Sequence, residues 1–175
     1  MAAAADILGP VAELSAIMAT RRPLVRISDT GEMAGMTSPD QVLVSGVLES
    51  GAPIAIHYRG GMPRGTGFLW EINGTEGDLR VTGAHGLIQL GSLAIEGATG
   101  ADEGLGTLAV PDRYRSSLEL PLYAENVAAT YAMLASDVRD GTRNAPSFAD
   151  AVETHRLCDA IERSAAEGRR VTVQS

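Results

Sequence analysis

Apolar and polar positions alternate with a period of two through the first half of the chain and recur at a period near 3.6 in the second. Strands are therefore expected first and helices after them. Val11 to Thr20, Gln41 to Glu49, Ile54 to Arg59, Phe68 to Ile72, Asp78 to Thr82 and Leu87 to Leu90 read as strands divided by glycine-rich turns. Around Asn73-Gly74 the alternation continues on both sides, which predicts an antiparallel hairpin. Its turn is either the pair Asn73-Gly74 or the longer loop from Asn73 to Gly77. Residues 2 to 8 look like the last turns of a helix, stopped by Gly9-Pro10.

From Leu122 to Asp140, Val127, Tyr131, Leu134 and Val138 recur at spacings of four, three and four. That is the stripe of an amphipathic helix, which Asp140-Gly141 ends. Ser147 with Asp150 three residues on predicts a capping-box start for a second helix. Phe148, Val152, His155, Cys158, Ile161 and Ala165 share one face of it, and Gly168 ends it. Val171 to Val173 reads as a short last strand. Ala98 to Tyr114, rich in Gly and acidic residues, has no periodicity and reads as a long loop. A run of strands followed by helices predicts an α+β fold: a largely antiparallel, open-faced β-sheet with two long C-terminal helices packed on one face. Residues 1–175 are read as a single domain.

Two helices cover one face of such a sheet, so its faces should differ. One carries Val42, Val44, Leu48, Ile54, Ile56, Tyr58, Phe68, Trp70 and Ile72, a continuous core with Trp70 between sheet and helices. The other mixes Leu43, Val47, Glu49, Ala55, His57, Arg59, Leu69, Glu71 and Arg80. Aliphatic residues interspersed with Arg, His and Glu have the composition of an interface rather than of a solvated surface. Leu43, Val47, Ala55, His57, Leu69 and Arg80 are thus the expected contacts of a homo-oligomer.

Composition narrows the partners. With 45% hydrophobic residues in 175, the chain has enough for a core. Its formal charge is −8, all 14 basic residues are Arg, and the only adjacent basic pairs are Arg21-Arg22 and Arg169-Arg170. Nucleic acid is not expected, because counterion release needs a clustered basic face. The single Cys158 cannot form an internal disulfide and falls on the expected inner helix face, which fits a cytoplasmic protein. No apolar run approaches membrane-spanning length.

Candidate chemistry is sparse. Gly60 to Thr66 has Thr66 where a P-loop requires Lys, and in Gly65-Thr66-Gly67-Phe68-Leu69-Trp70 the third glycine position is Trp. No Gly-x-Gly-x-x-Gly follows a strand and opens a helix, so no pyrophosphate site is expected. The histidines, His57, His85 and His155, lack zinc-helix spacing, and no metal site is expected. His155 reads as a core or interface residue and His85 as a turn residue. His57, Arg59, Arg64 and Glu71 are the candidates for contact with a substrate or an interface.

The hairpin Phe68 to Val81, with Val44-Ser45-Gly46-Val47-Leu48-Glu49-Ser50-Gly51 before it and His155 to Ala165 near the end, resembles the C-terminal domain of Gfo/Idh/MocA-type oxidoreductases. The resemblance is closest to the branch typified by the galactose-pathway repressor and runs from about Asp6 to Val173. It implies a Rossmann domain preceding this portion, missing here by true truncation, by a misplaced start or because it is a separate chain. It also implies self-association through the open sheet face, NAD(P) in full-length relatives and a small sugar or polyol as ligand. The family's substrate-acting Lys and Asp/His pair match no position here, so no catalytic residue is assigned. Two functions follow from the resemblance. One is the substrate-side and oligomerisation domain of an NAD(P)-dependent sugar or polyol oxidoreductase, inactive and binding no cofactor alone. The other is a non-enzymatic sugar-sensing or assembly module.

Overall fold

The computed structural model describes residues 2–61, 64–65, 67–114 and 120–173, and of these every side chain but those of Ala2 and Leu122. The architecture is α+β with antiparallel sheets and two long helices, as the change of period predicts. The chain divides into two compact units, Met1–Gly61 with Pro146–Ser175, and Met62–Ala145.

In the first unit, α1 (Ala2–Leu8) leads into β1 (Val11–Ala19), which lies between β4 (Gln41–Leu48) and β10 (Val171–Thr172), while β5 (Pro53–Arg59) forms the other edge. A register shift between Val11 and Glu13 brings Val11 opposite Leu48, so that Val11 and Leu14 are both buried although they are three residues apart. Such a bulge lets one strand change which residues face inward. The helix α3 (Phe148–Glu167) lies along β1 and β10. Val11, Leu14, Val44, Leu48, Leu157, Ala160, Ile161 and Val171 form the core between them. Each fully buried aliphatic side chain contributes about 1.5–3 kcal/mol.

The inner face of α3 is rotated from the expected one. Leu157, Ala160, Ile161 and Ser164 are buried, whereas Phe148 is 94% exposed and His155 and Cys158 are exposed. The small side chains of Ala160 and Ser164 let the helix approach β1, and they carry no hydrophobic signal in the sequence. The capping box is formed: Ser147 Oγ accepts the Asp150 N–H, and the Asp150 carboxylate accepts the Ser147 N–H. Between β1 and β4, an unexpected small ribbon pairs β2 (Leu24–Arg26) with β3 (Met33–Gly35).

The second unit contains a meander of β6 (Phe68–Asn73), β7 (Gly77–Gly83), β8 (Leu93–Thr99) and β9 (Gly106–Thr107). The strands expected to form one wide sheet thus belong to two separate hydrogen-bonded ladders, one ending at β5 and one beginning at β6. Asn73 pairs with Asp78 and the Gly74 N–H donates to the Gly77 carbonyl at 2.9 Å, which selects the longer hairpin loop. Leu87–Leu90 is not a strand; Ile88–Leu90 is a 3₁₀ turn, and the strand comes after it as β8. The expected loop from Ala98 to Tyr114 contains the short β9 and a turn at Asp112–Tyr114.

Trp70, Val81 and Ile95 lie in register across the meander, half-buried rather than enclosed. Among the described residues, all the buried hydrophobic side chains belong to the first unit. The helix α2 (Leu122–Asp140) stops at Gly141 as expected, but its stripe is exposed, with Tyr131 at 68% and Val138 at 79%. What α2 buries is Asp137. Its carboxylate accepts from Thr142 Oγ1 at 2.6 Å, from the N–H of Ala145 at 2.7 Å and from the N–H of Asn144 at 2.8 Å. These donors hold its pKa down to about 2, the Thr142 hydroxyl most strongly.

Candidate functional site

The face of the first sheet turned away from the α3 core is read directly from its register. Ile17, Leu43 and His57 form one row across β1, β4 and β5. Ser15, Ser45 and Ala55 form the next, and Ala19, Gln41 and Arg59 the row at the end. Val47, opposite Glu13, completes the same face. Ile17 is 65% exposed and Leu43 42%, so two aliphatic side chains stand side by side on an uncovered surface. His57 Nε2 lies 3.0 Å from Gln41 Oε1, a partner that orients the ring.

The second sheet repeats the division. Leu69, Glu71 and Asn73 share a face with Thr82, Arg80 and Asp78 of β7 and with Ala94, Glu96 and Ala98 of β8. Arg80 bonds Glu96 through Nε at 3.0 Å and through Nη2 at 2.8 Å, and Glu71 stands opposite it on the other side. Leu69 is 54% exposed on this face.

The structure therefore groups Leu43, Val47, Ala55, His57 and Arg59 on one surface, and Leu69, Glu71 and Arg80 on another. Arg64 lies exposed before β6, away from both rows in sequence. Ile17, Gln41 and Glu96 escaped the sequence reading. The first two follow once the β1–β4 register is known, and Glu96 lies on a strand that the sequence did not reveal.

No acid–base pair is built among the described residues. His85 Nδ1 is buried without a hydrogen-bond partner, its ring lying against Gly91, and His155 is exposed on α3. No group of three or more His, Cys, Asp or Glu among the described residues could hold a metal ion. Nor do these residues fit a nicotinamide dinucleotide. The N-terminus of α3 is occupied by the Asp150 carboxylate, and that of α2 follows Leu120-Pro121 rather than a strand and a glycine turn. A pyrophosphate needs free N–H groups at such an end. No helix among the described residues is long and apolar enough to cross a membrane.

Comparison with known proteins gives the fold its relatives. Residues 1–83 match the family model described as Gal80p, C-terminal domain. The galactose/lactose metabolism regulatory protein GAL80 of Kluyveromyces lactis is 33% identical over 70 residues, which cover 38% of this chain and 15% of that protein. A super-repressor mutant of Gal80p from Saccharomyces cerevisiae superimposes with a TM-score of 0.78 at 19% identity, over 93% of this chain and 44% of the Gal80p chain. The apo form of levoglucosan dehydrogenase superimposes with a TM-score of 0.77, also at 19% identity, over 99% of this chain and 49% of its own. This chain thus spans less than half the length of those structural neighbours. Residues 1–83 are accordingly a Gal80p C-terminal-domain-like segment, in a chain whose fold is shared with about half of Gal80p and of levoglucosan dehydrogenase.

Proposed function

We propose that the chain is the substrate-side and self-associating domain of an NAD(P)-dependent sugar or polyol oxidoreductase, acting in the cytoplasm and inactive without a nucleotide-binding domain. The observation that carries this reading is the uncovered row Ile17, Leu43 and His57 on the first sheet, continued by Val47 and Ala55. Aliphatic side chains alternating with hydrogen-bonding ones suit a protein–protein contact, which would bury on the order of 1,600 Å² in total. Leu69 and Arg80 belong to a surface of similar composition on the second sheet. His57, Arg59, Arg64 and Glu71 are the groups offered to a polyhydroxyl ligand. The fold likeness supports the enzymatic context, since levoglucosan dehydrogenase forms a complex with NADH and levoglucosan.

Light scattering and calorimetry test this reading. The purified chain is expected to be a dimer or larger at tens of micromolar, and to show no micromolar binding of NAD or NADP. A monomer defeats the assembly role, and micromolar nicotinamide binding defeats the division of labour.

The match to a regulatory protein favours a second reading, a non-enzymatic sugar-sensing or assembly module. Capture of the tagged chain from its own cells separates the two. Co-purification of a nucleotide-binding polypeptide with sugar-dependent reduction of NAD or NADP supports the first, and sugar binding without turnover supports the second.

A further inference from the structure

One end of the first sheet collects arginines that form no salt bridge among the described residues, above the buried carboxylate of Asp40. The row Ala19, Gln41 and Arg59 closes that end, and the chain leaving β1 turns there through Arg21 and Arg22. The turn is held from beneath by Asp40, which is 3% exposed. Its two carboxylate oxygens accept the N–H of Arg21 at 2.9 Å and of Arg22 at 2.7 Å, while its carbonyl accepts the Gly60 N–H at 2.7 Å. Both oxygens accept from backbone, the Gln41 side chain also bonds the carboxylate, and the three arginine side chains are left exposed.

Among the described residues, Arg80, Arg139, Arg156, Arg163, Arg169 and Arg170 each pair with a carboxylate, whereas Arg21, Arg22 and Arg59 form no salt bridge. The side chain of Arg22 lies over Gly61, where φ is +95° and a Cβ would collide with its Nη1. The positive φ favours glycine there, while the guanidinium is the movable end of its side chain. In a chain of net charge −8, a corner of this sign selects for negative groups.

We propose that this corner is a subsite for the anionic group of a polyhydroxyl ligand, a phosphate monoester or a carboxylate, gripped by Arg22 and Arg59. The planar fork of a guanidinium matches either group with two parallel hydrogen bonds. His57, bonded to Gln41 Oε1 through Nε2 and next to Arg59 on β5, presents its other ring nitrogen to the hydroxyls. Anion binding stands on the geometry alone; its use as a handle on a sugar substrate rests on the function proposed above.

Calorimetric titration of the full chain at one low ionic strength compares glucose 6-phosphate, gluconate and glucose, with sodium chloride as the screening control. At least one charged sugar is expected to bind ten times more tightly than glucose or better, and its affinity is expected to fall as chloride is added. Preference for the phosphate or for the carboxylate identifies the anion. R22A/R59A is expected to abolish the preference while keeping the native circular dichroism, and R59A alone reduces it should the double variant fold poorly. R143A, an exposed arginine of the second unit, should leave it intact. Equal binding of charged and neutral sugars, or unchanged preference in R59A, overturns the proposal. A monomer in light scattering would defeat the assembly role while leaving this result untouched.

Discussion

Ser164 on α3 accepts the backbone N–H of Ala16 on β1 through its Oγ at 2.9 Å, and the same hydroxyl donates to the carbonyl of Arg169 at 2.7 Å. The bond has a topological cause. β10 pairs with β1 only at Glu13 and Leu14, so Ala16 extends past the end of that ladder and its N–H needs another acceptor. With Ser164 1% exposed, S164A leaves that buried N–H without a partner and should cost about 1–3 kcal/mol. A urea melt checks this, and a loss below about 0.5 kcal/mol would mean that water replaces the hydroxyl.

Asp137 gives the second unit an acid-sensitive latch. Its carboxyl titrates at about 2 in the folded chain against 3.8 ordinarily, so it binds fewer protons folded than unfolded over that range. The stabilisation is complete above the ordinary value and is lost as pH falls toward 2. D137A should therefore melt at a lower temperature than the native chain at pH 7. The gap should close on acidification from pH 5 to pH 2, as followed by circular dichroism. A gap independent of pH would assign the effect to packing.

Trp70 calls for a smaller penalty than an enclosed aromatic. A fully buried Trp cut to Ala costs about 3–5 kcal/mol, but here the ring is half-buried beside Val81 and Ile95. W70A is expected to cost about 2 kcal/mol in a denaturant melt. A value above about 4 would show that the indole is enclosed in solution by a surface beyond its own sheet.

Leu43 tests the open face. L43R places a charge beside Ile17 and opposite His57. If the row is a contact between copies, the unpaired charge should weaken association by about 3 kcal/mol, more than 100-fold in the dissociation constant. Sedimentation should then find monomers where the native chain is associated. Unchanged association moves the contact elsewhere.

The faces of the strands were legible in the sequence because a period of two survives any error in strand ends. Leu43, Val47, Ala55 and His57 fall together, as do Leu69, Glu71 and Arg80, but on two ladders where the alternation was read as one sheet. Ser147, Gly141 and Gly168 marked helix ends for local reasons of hydrogen bonding and backbone conformation. Three features were not legible. The β2–β3 ribbon has strands of three residues, too short to show a period. The strand β8, Leu93–Thr99, contains Ala94, Gly97 and Ala98, whose weak side-chain signal hides its alternation. The buried side of α3 was masked by Phe148, Val152 and Cys158, which supply a stronger apolar stripe than Ala160 and Ser164 do. The arginine corner was half visible: Arg21-Arg22 stood out as a pair, but only tertiary structure sets it beside Arg59.

The placement of β10 also dictates an order of events during synthesis. Leu14 shares its core with Leu157, Ala160, Ile161 and Val171, some 150 positions later in the chain. Closing so long a loop is entropically slow, and contacts of this separation form late in folding. A ribosome that has released β1, β4 and β5 has made the ladder but not its cover. Until residues from Pro146 onward emerge, the inner sides of Val44 and Leu48 stay wet, an opportunity for chaperone binding or for pairing between nascent chains.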